Sequence, residues 1–451
     1  MGILIKNGRV IDPARGTDTI SDVYIKNGII QEINPNLQAS DAVTIIDATS
    51  MWVVPGLIDM HVHLRDPGWP NKETIASGTA AAAVGGFTTI CPMANTNPVT
   101  DDVRIVEYIL SKAKAEGVVH VAPIGSATIR LEGREISPIP EMKAAGICAI
   151  SDDGKTVENT DLYKAAMEQA AAHNLPVLSH CEDLRIADGG HMNAGACAQT
   201  LGIKGISNES EASIISRDIE LARETGVRLH ICHVSTAEGL AHIRAAQNKG
   251  LPVTAEVCPH HFTLADEDIP GPDTNFKMSP PLRSNKDVDA LKQALKDGTI
   301  SVIATDHAPH HIDDKSCSFE EAANGIIGLE TAVPLCITEL ISLESALGQG
   351  PVPSIAGECK TENHPLSLTP LELIAKLTIN PAQILGLDKG TLTPDKMADI
   401  TIIDPNFQHK IDKTAFRSKS RNTPFHGRPV RGKVMYTIIE GRIIYDNRQA
   451  D

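Results

Sequence analysis

The stretch Val53-Val-Pro-Gly-Leu-Ile-Asp-Met-His-Val-His63 is an apolar run that ends in two histidines. Similar apolar runs follow further along the chain. Between the runs lie stretches that are rich in Ala, Glu and Lys and have helical spacing, such as Leu162–His173 and Glu211–Thr225. Eight apolar runs with polar ends recur along the middle of the chain, at Val53–His63, Phe87–Asn95, Val118–Ser126, Ile147–Asp153, Val177–His180, Arg228–His233, Val253–His260 and Ile300–His307. Buried strands that alternate with helices in this number are typical of a closed barrel. We therefore predict an α/β fold with a (β/α)8 TIM-type barrel.

An open, doubly wound sheet is the alternative fold, because it also alternates strands with helices. Such sheets often carry a phosphate-binding loop, and the chain has neither a Gly-x-Gly-x-x-Gly motif nor a Walker-type loop. The same absence argues against a sugar-phosphate enzyme. The count of apolar runs favours the barrel, and residues 345–368 are predicted to form a loop excursion.

The two ends of the chain differ from the middle and are similar to each other. Both carry short β-rich runs, at Ile3–Ile11, Val23–Ile30, Asp399–Asp404 and Met435–Tyr445. The first two runs are broken by Asn-Gly, a strong hairpin signal. Because domain termini often lie close together, we predict that residues 1–54 and 393–451 form one small β-sandwich domain. Residues 55–392 are then the barrel domain.

Composition and charge exclude several classes of protein. The 451 residues are 41% apolar and 22% charged, as in ordinary globular proteins. A net charge of −16 argues against nucleic-acid binding, which needs a basic surface. We find no membrane span and no signal peptide, and the nine cysteines contain no Cys-x-x-Cys pair. These features predict a cytoplasmic protein with reduced thiols that binds neither membranes nor nucleic acid.

Imidazole and carboxylate groups collect at the ends of five predicted strands. In a TIM barrel the reacting groups lie at the C-terminal ends of the strands. These ends carry His61 and His63, Asp153, His180, His233 and Asp306. Such a density of histidine and carboxylate is typical of a zinc site. Six ligands are too many for one tetrahedral ion and suit two ions about 3.5–4 Å apart.

Strand parity predicts which of these side chains point the same way. Side chains alternate across a strand with a period of two, so His61 and His63 are expected to face the same site. His230 and His233 have opposite parity, so His230 is expected to point away from the site and to be structural. Two interpretations of His260 and the histidine that follows it stay open, namely orienting a metal ligand and packing.

Several longer motifs identify a family resemblance. They are Pro55-Gly-Leu-Ile-Asp-Met-His-Val-His-Leu-Arg-Asp-Pro-Gly68, Met93-Ala-Asn-Thr-Asn-Pro98, Ser151-Asp-Asp-Gly154, Leu178-Ser-His-Cys-Glu182, His230-Ile-Cys-His-Val-Ser-Thr236, Phe276-Lys-Met-Ser-Pro-Pro-Leu-Arg283, Ala304-Thr-Asp-His-Ala-Pro-His310 and Lys389-Gly-Thr-Leu-Thr-Pro-Asp-Lys-Met-Ala-Asp-Ile400. On these motifs the chain resembles the amidohydrolase superfamily and, within it, the bacterial type I dihydroorotases. The resemblance runs nearly end to end.

The resemblance implies a distribution of metal ligands. The first metal position would be held by His61, His63 and Asp306, and the second by His180 and His233, with Asp153 between them. Many relatives have a carbamylated lysine at that bridge, whereas the fourth strand here reads Ile150-Ser-Asp-Asp-Gly and offers none. Lys155 follows just beyond it. One and two zinc ions per chain both stay open.

The resemblance also implies how the substrate is held. Arg65, Asn95 and His310 match the residues that bind the substrate carboxylate, and the planar fork of Arg65 suits a bidentate contact. Ser279 stands where many relatives have Asn and is expected to hydrogen-bond the substrate directly or through water. The backbone at Gly325 is expected to contact the pyrimidine ring. A loop at residues 308–319 resembles the mobile loop that closes the active site of the family.

The activity implied is that of a metal-dependent dihydroorotase. Such an enzyme reversibly cyclises N-carbamoyl-L-aspartate to dihydroorotate in de novo pyrimidine biosynthesis. A metal lowers the pKa of bound water to about 7, and Asp306 is placed to transfer the proton as general acid and base. The resemblance also implies a homodimer, and it leaves open an association with aspartate transcarbamoylase.

Two other functions are alternatives. A different cyclic amidase, such as a hydantoinase or an allantoinase, shares the metal core, but the missing bridge lysine and the His-Leu-Arg-Asp-Pro-Gly run favour dihydroorotase. A non-catalytic barrel that only scaffolds aspartate transcarbamoylase is expected to lose metal ligands. This chain keeps all six.

Overall fold

A computed structural model describes residues 2–38, 43–347 and 366–449. In these residues the strands are, in chain order, β1 Gly2–Asp12, β2 Thr17–Lys26, β3 Ile29–Asn34, β4 Val43–Asp47, β5 Trp52–Pro55, β6 Leu57–Val62, β7 Phe87–Pro92, β8 His120–Val121, β9 Ile124–Gly125, β10 Ala149–Ile150, β11 Val177–Ser179, β12 Met192–Asn193, β13 Gly205–Ile206, β14 Leu229–Ile231, β15 Val253–Val257, β16 Val302–Ile303, β17 Ile400–Lys410, β18 Pro429–Ile439 and β19 Arg442–Asp446. Most of the predicted loop excursion, residues 348–365, lies outside the described residues.

The α-helices lie mainly between the central strands. They are α1 Ile75–Val84, α2 Val103–Glu116, α3 Ile139–Ala145, α4 Thr160–Ala172, α5 Leu184–Ala187, α6 Ala196–Leu201, α7 Glu209–Thr225, α8 Ala237–Asn248, α9 Pro259–Thr263, α10 Asn285–Asp297, α11 Ile312–Lys315, α12 Ala332–Leu340, α13 Leu343–Leu347, α14 Pro370–Leu377 and α15 Ile379–Leu385. Short 3-10 helices occur at Ile129–Leu131, Asp266–Asp268, Thr274–Phe276, Lys413–Ala415 and Asn447–Gln449. Across the described ranges, no helix combines the length and the apolar character needed to cross a bilayer.

The central strands form a closed parallel ring. One sheet has the order β9-β10-β11-β14-β15-β16, and a second has the order β6-β7-β8. Only Ala122 and Pro123 separate β8 from β9, so these two strands form one strand position. A parallel bridge between Val62 and His307 joins β6 to the chain that follows β16. The ring therefore has eight positions, and the predicted TIM-type barrel is confirmed.

A buried carboxyl group reinforces the seam where the ring closes. Strand β16 is only two residues long, so few backbone hydrogen bonds join it to its neighbours. Asp59 on β6 accepts hydrogen bonds from the backbone N–H of Thr305 at 3.1 Å and from its hydroxyl at 2.5 Å. Burial raises the pKa of Asp59 to about 7. This contact fixes the chain just before Asp306.

The chain termini build a second sheet with its own apolar core. Its order is β19-β18-β17-β5-β1-β2-β3, with β4 paired to β1. Strands from both ends of the chain therefore meet in one sheet, which forms the predicted β-sandwich beside the barrel. Its core residues include Ile5, Val23, Val53, Ile402 and Ile438, each fully buried. Strand β5 of this sheet ends at Pro55, two residues before the first barrel strand begins.

The two Asn-Gly pairs of the N-terminal region have different structures. Asn27 and Gly28 form a two-residue turn between β2 and β3, with φ of 53° and 81°, as the hairpin signal predicts. Asn7 and Gly8 lie inside β1, where the register with β2 shifts, so the hairpin interpretation is wrong there. A Cβ at Gly8 would lie 2.4 Å from the Val53 side chain, so the glycine allows β5 to approach.

Candidate metal centre

The six predicted ligands all lie at or just beyond the C-terminal ends of barrel strands. Their positions are His61 near the end of β6, His63 directly after it, Asp153 after β10, His180 after β11, His233 after β14 and Asp306 after β16. None of the six is more than 7% exposed. Because parallel barrel strands end at one rim, residues far apart in sequence meet there.

Asp153 lies at the centre of the group. Its Oδ1 is 3.3 Å from His61 Nε2, 3.5 Å from His233 Nε2 and 3.7 Å from His180 Nδ1. Its Oδ2 is 3.5 Å from His63 Nε2. One carboxylate therefore lies between two pairs of imidazoles, which is the position that the resemblance implies for it.

Asp306 contacts His61 and His63, whereas His180 and His233 contact each other. Asp306 Oδ1 is 2.9 Å from His63 Nε2 and 3.6 Å from His61 Nε2. His180 Nδ1 is 3.0 Å from His233 Nε2. The structure therefore brings all six sequence-predicted groups into one cluster.

Three side-chain atoms of the predicted ligands are buried and make no hydrogen bond. They are His61 Nε2, Asp153 Oδ1 and His233 Nδ1. Buried polar atoms almost always have a partner, so such a group of unsatisfied atoms needs an explanation. Imidazole nitrogen and carboxylate oxygen are the ligands that zinc and related divalent ions prefer. The residues present therefore fit a metal.

The histidines keep both carboxylates ionised. Burial by itself would raise the pKa of Asp306, but the hydrogen bond to His63 and the charges of His61, His63 and His233 lower it below its usual range. The pKa of Asp153 is also lowered, well below its usual range, because the charge of His61 is the largest of the effects that oppose burial. An ionised carboxylate is required of a metal ligand and of a general base.

Three site residues adopt left-handed backbone conformations. The φ angles are 56° for Arg65, 33° for His233 and 47° for Asp306. A non-glycine residue in this region costs about 1–3 kcal/mol and is found mainly at functional sites. The strands thus end before these residues, and the backbone turns to aim each side chain at the barrel mouth.

This turn explains why strand parity misplaces His230. Strand β14 ends at Ile231, so the period of two does not extend to His233. His230 is fully buried, and its Nε2 is 3.2 Å from Glu256 Oε2. Glu256 also contacts His61, at 2.6 Å. His230 therefore lies beneath the cluster, and the expectation that it points away is wrong.

Arg65 and His310 lie side by side. Arg65 Nη2 is 3.4 Å from His310 Nε2, and Arg65 Nε donates to the carbonyl of Pro309 at 3.2 Å. Burial lowers the pKa of Arg65 to about 10, so the guanidinium stays charged at neutral pH. Burial and the charge of Arg65 lower the pKa of His310 to about 2, so this imidazole is neutral. His310 Nε2 lies 2.8 Å from the carbonyl of Asn324.

Asn95 contacts two of the predicted metal ligands. Its Oδ1 is 2.8 Å from His63 Nδ1, and its Nδ2 is 3.3 Å from Asp153 Oδ2. The amide therefore orients both side chains in addition to its predicted contact with substrate. These contacts were not predicted for Asn95, because they depend on the register in which the barrel strands pair.

The remaining residues singled out from the sequence are Gly325, Ser279 and Lys155. Gly325 has φ of 113°, and an added Cβ would lie 2.5 Å from Ala308 Cβ and 3.7 Å from His310 Nε2. The N–H of Gly325 donates to the carbonyl of Lys277, and Ser279 is half-buried two residues further on. Lys155 is exposed, so the structure gives it no place as a carbamylated bridge. The contacts of Ser279 and Gly325 with substrate stay predictions.

The loop at residues 308–319 is held against the segment 274–277 by a buried lysine. Lys315 Nζ donates to the carbonyls of Thr274 at 2.9 Å, Lys277 at 3.2 Å and Ala323 at 2.6 Å. Lys72 forms an ion pair with Asp314 on the same loop, at 3.1 Å. These contacts keep the loop that carries His310 beside Arg65.

Glu256 is the main residue of the site that sequence analysis missed. It is fully buried on β15, and its Oε1 is 2.6 Å from His61 Nδ1. Burial would raise its pKa, but the charge of His61 and hydrogen bonds with His230 and His61 lower it to about 2. The available signal was an acidic residue inside the buried run Val253-Thr-Ala-Glu-Val257.

The two histidines after β15 show no contact with the ligands in the described part of the chain. His261 Nε2 is 3.0 Å from the carbonyl of Pro280, whereas His260 Nε2 is buried without a partner. Their rings pack at 4.3 Å. The packing interpretation therefore fits His261 better than an orienting role.

Comparisons of the sequence identify relatives along its whole length. A family model described as dihydro-orotase-like matches residues 51–239, and one described as the amidohydrolase family matches residues 343–445. A dihydroorotase of Ruminiclostridium cellulolyticum is 46% identical over 441 residues, which are 98% of this chain and 98% of the relative. A dihydroorotase of Geobacter metallireducens is 46% identical over 445 residues, covering 99% and 100% of the two chains.

Solved structures with the same architecture include two hydantoinases. The L-hydantoinase of Arthrobacter aurescens superposes with a TM-score of 0.83 at 26% identity, over 98% of this chain and 96% of that one. A D-hydantoinase superposes with a TM-score of 0.82 at 24% identity, over 100% and 96% of the two chains. The second likeness supports the fold alone.

Proposed function

The chain belongs to the dihydroorotase family of the amidohydrolases, and from this premise we propose how its site carries out dihydroorotase chemistry. The enzyme is a cyclic amide hydrolase that acts on a small molecule, interconverting N-carbamoyl-L-aspartate and dihydroorotate. The observation that carries the proposal is the cluster of six ligand side chains at one barrel rim. A non-catalytic copy is expected to have lost part of this set.

The metal ligands in this proposal are the six clustered side chains. His61, His63 and Asp306 would hold one ion, and His180 and His233 a second, with Asp153 between the two pairs. Zinc fits this donor set, and one or two ions per chain are both compatible with it. When bound, the metal supplies an activated water nucleophile and polarises the amide carbonyl.

Asp306 moves the proton in this scheme. Its ionised carboxylate accepts the proton of the attacking water during ring opening and then returns it to the departing ring nitrogen. In the direction of ring closure the protonated carboxyl supports the loss of water. The seam contact between Asp59 and Thr305 holds the chain in place just before this residue.

Arg65 binds the substrate carboxylate in this scheme, with His310 and Asn95 beside it. A guanidinium presents two parallel N–H donors to a carboxylate, which fixes the direction of the substrate as well as its position. Correct orientation of the reacting groups is itself a large part of catalysis. Ser279 and the backbone of Gly325 complete the proposed substrate contacts.

Replacing Arg65 by Gln is expected to lower kcat/KM by about 100-fold, mainly through KM. Loss of one partner of a buried charge-assisted contact costs about 2–5 kcal/mol, and 1.4 kcal/mol is tenfold. Steady-state kinetics with dihydroorotate measure the change. Arg130→Gln is the matched control, because Arg130 is exposed and forms an ion pair with Glu132 at 3.0 Å. An unchanged KM in Arg65→Gln would remove Arg65 from the substrate site.

A substrate panel tests the proposed activity. The nearest rival is a hydantoinase, because the L-hydantoinase of Arthrobacter aurescens shares the architecture at 26% identity. We expect ring opening of dihydroorotate and ring closure of N-carbamoyl-L-aspartate, with at most slow reaction of 5-substituted hydantoins and allantoin. Rapid turnover of a hydantoin or allantoin without turnover of dihydroorotate would assign the rival function.

The proposal extends to the organisation of the protein. Residues 1–54 with 393–451 form the sandwich domain and residues 55–392 the barrel domain, which is supported by the end of β5 at Pro55 and the start of β17 at Ile400. A homodimer, a cytoplasmic location and an association with aspartate transcarbamoylase are supported by the family resemblance.

A further inference from the structure

We propose that Glu256 is a positioning residue that holds the His61 imidazole with its proton on Nδ1 and its Nε2 directed at the metal. This inference rests on the metal centre of the proposed function. Glu256 touches neither the reacting atoms nor the substrate, and it acts through His61.

Glu256 has a full set of N–H donors around its carboxylate. Oε1 is 2.6 Å from His61 Nδ1 and 3.2 Å from the backbone nitrogen of His233, and Oε2 is 3.2 Å from His230 Nε2. The side chain is 0% exposed. A carboxylate can only accept hydrogen bonds, so each of these nitrogens must carry a proton. In the neutral imidazole that a metal ligand requires, Nε2 is then the nitrogen that carries the lone pair.

The direction of His61 follows from that assignment. His61 Nε2 lies 3.3 Å from Asp153 Oδ1 and 3.6 Å from Asp306 Oδ1, and it is a buried atom without a hydrogen bond. The ring thus has one nitrogen fixed by Glu256 and the other among the predicted ligands. A carboxylate on the far nitrogen of a metal-binding imidazole fixes the ring and increases its basicity.

His230 and Thr254 hold Glu256 in place on the side of its carboxylate that faces away from His61. His230 Nδ1 is 2.8 Å from the Thr254 hydroxyl, which leaves Nε2 to donate to Glu256. The backbone N–H of His233 adds a second fixed contact. The chain Thr254, His230, Glu256 and His61 therefore runs up the inside of the barrel to the metal centre.

The other predicted histidine ligands lack an equivalent contact in the described part of the chain. His63 Nδ1 meets the neutral amide of Asn95 at 2.8 Å. His180 Nε2 is 4.0 Å from Glu182 Oε2, beyond hydrogen-bond distance, and His233 Nδ1 has no hydrogen-bond partner. Among the predicted histidine ligands in the described residues, His61 therefore has a carboxylate, Glu256, within hydrogen-bond distance of the ring nitrogen that points away from the cluster.

The test compares Glu256→Gln with Asp287→Asn. Glu256→Gln keeps the shape of the side chain and removes its negative charge. Asp287 is another buried carboxylate, 4% exposed, which accepts the N–H of Ala237 and contacts no predicted metal ligand. The readouts are the dissociation constant for zinc, from competition with a chromogenic chelator, and the thermal unfolding of the metal-free protein.

Glu256→Gln is expected to weaken zinc binding by about 10- to 100-fold, and Asp287→Asn to leave the zinc constant unchanged. A purely structural role would instead lower the unfolding temperature of the metal-free protein and leave the zinc dissociation constant unchanged, which would overturn the proposal.

His230→Asn is the second variant, for the case that Glu256→Gln does not fold. It removes one support of Glu256, and we expect zinc binding several-fold weaker, whereas an unchanged constant would count against the proposal.

Failure of this inference and failure of the proposed function are separable. The zinc constant is measured without substrate, so it reports on Glu256 whatever the chain hydrolyses. A wild-type protein that binds zinc tightly but does not turn over dihydroorotate contradicts only the proposed activity. A wild-type protein that turns over dihydroorotate while Glu256→Gln keeps the wild-type zinc constant contradicts only the inference.

Discussion

Asp306→Asn is expected to lower kcat by about 10³- to 10⁴-fold while most of the metal stays bound. General acid and base catalysis typically contributes 10²- to 10⁴-fold, and about 10³-fold or more is expected where one group serves both steps. The amide keeps an oxygen that can stay 2.9 Å from His63, so the other ligands keep the ion. The amide cannot take up a proton at neutral pH, so proton transfer to the ring nitrogen is lost.

Two measurements on the same preparation check this prediction. Elemental analysis gives metal per chain, and steady-state assays in both directions give kcat. Asp297→Asn is a suitable control, because Asp297 carries an exposed carboxylate at the end of α10 and pairs with Arg244 at 2.9 Å. Near-normal turnover of Asp306→Asn with normal metal content would end the assignment of Asp306 as general base.

Removal of the metal is expected to abolish ring opening and ring closure, and added zinc to restore both. Without the ion, the chain keeps the carboxylates and imidazoles but has nothing to activate water at neutral pH. The protein is also expected to lose stability, by about 2.7 kcal/mol for an ion present at 100 times its dissociation constant. The physical reason is that the ion binds the folded chain, where buried His61 Nε2 and Asp153 Oδ1 lack a hydrogen-bond partner without it.

Chelation followed by dialysis and stepwise addition of zinc measures both effects. Activity against zinc per chain also separates one required ion from two, because activity reaches its plateau at one or two equivalents. A sample treated in the same way without chelator controls for handling losses. Full activity in protein shown by elemental analysis to be free of divalent metal would contradict the proposed chemistry.

The barrel and the family were accessible from the amino-acid sequence because their signals are local. Most barrel strands are short, fully buried runs, and the runs end in polar residues at the same rim of the fold. The ligands His61, His180 and His233 follow such runs directly, so their common location follows from the strand count alone. The same holds for Asp153 and Asp306.

Strand parity failed at the ends of the strands. The interpretation of His230 assumed that β geometry continues to His233, whereas the strand stops at Ile231 and His233 has φ of 33°. The direction of a side chain beyond a strand end depends on a backbone angle that no residue pattern specifies. The hairpin prediction at Asn7 and Gly8 was wrong for a related reason. Strand β1 continues through these residues with a shift of register, and the close approach of β5 at Gly8 is a tertiary contact that the Asn-Gly signal does not reveal.

By itself the sequence determined which residue types stand at the barrel rim, and hence the fold, the family and the class of reaction. Only the tertiary structure decided which of them touch: Asn95 with His63, and Glu256 with both His61 and His230. The physical reason is that these contacts join different strands, with sequence separations of 26, 32 and 195 residues. The register of neighbouring strands sets the two shorter contacts and closure of the ring sets the longest, and local sequence encodes neither.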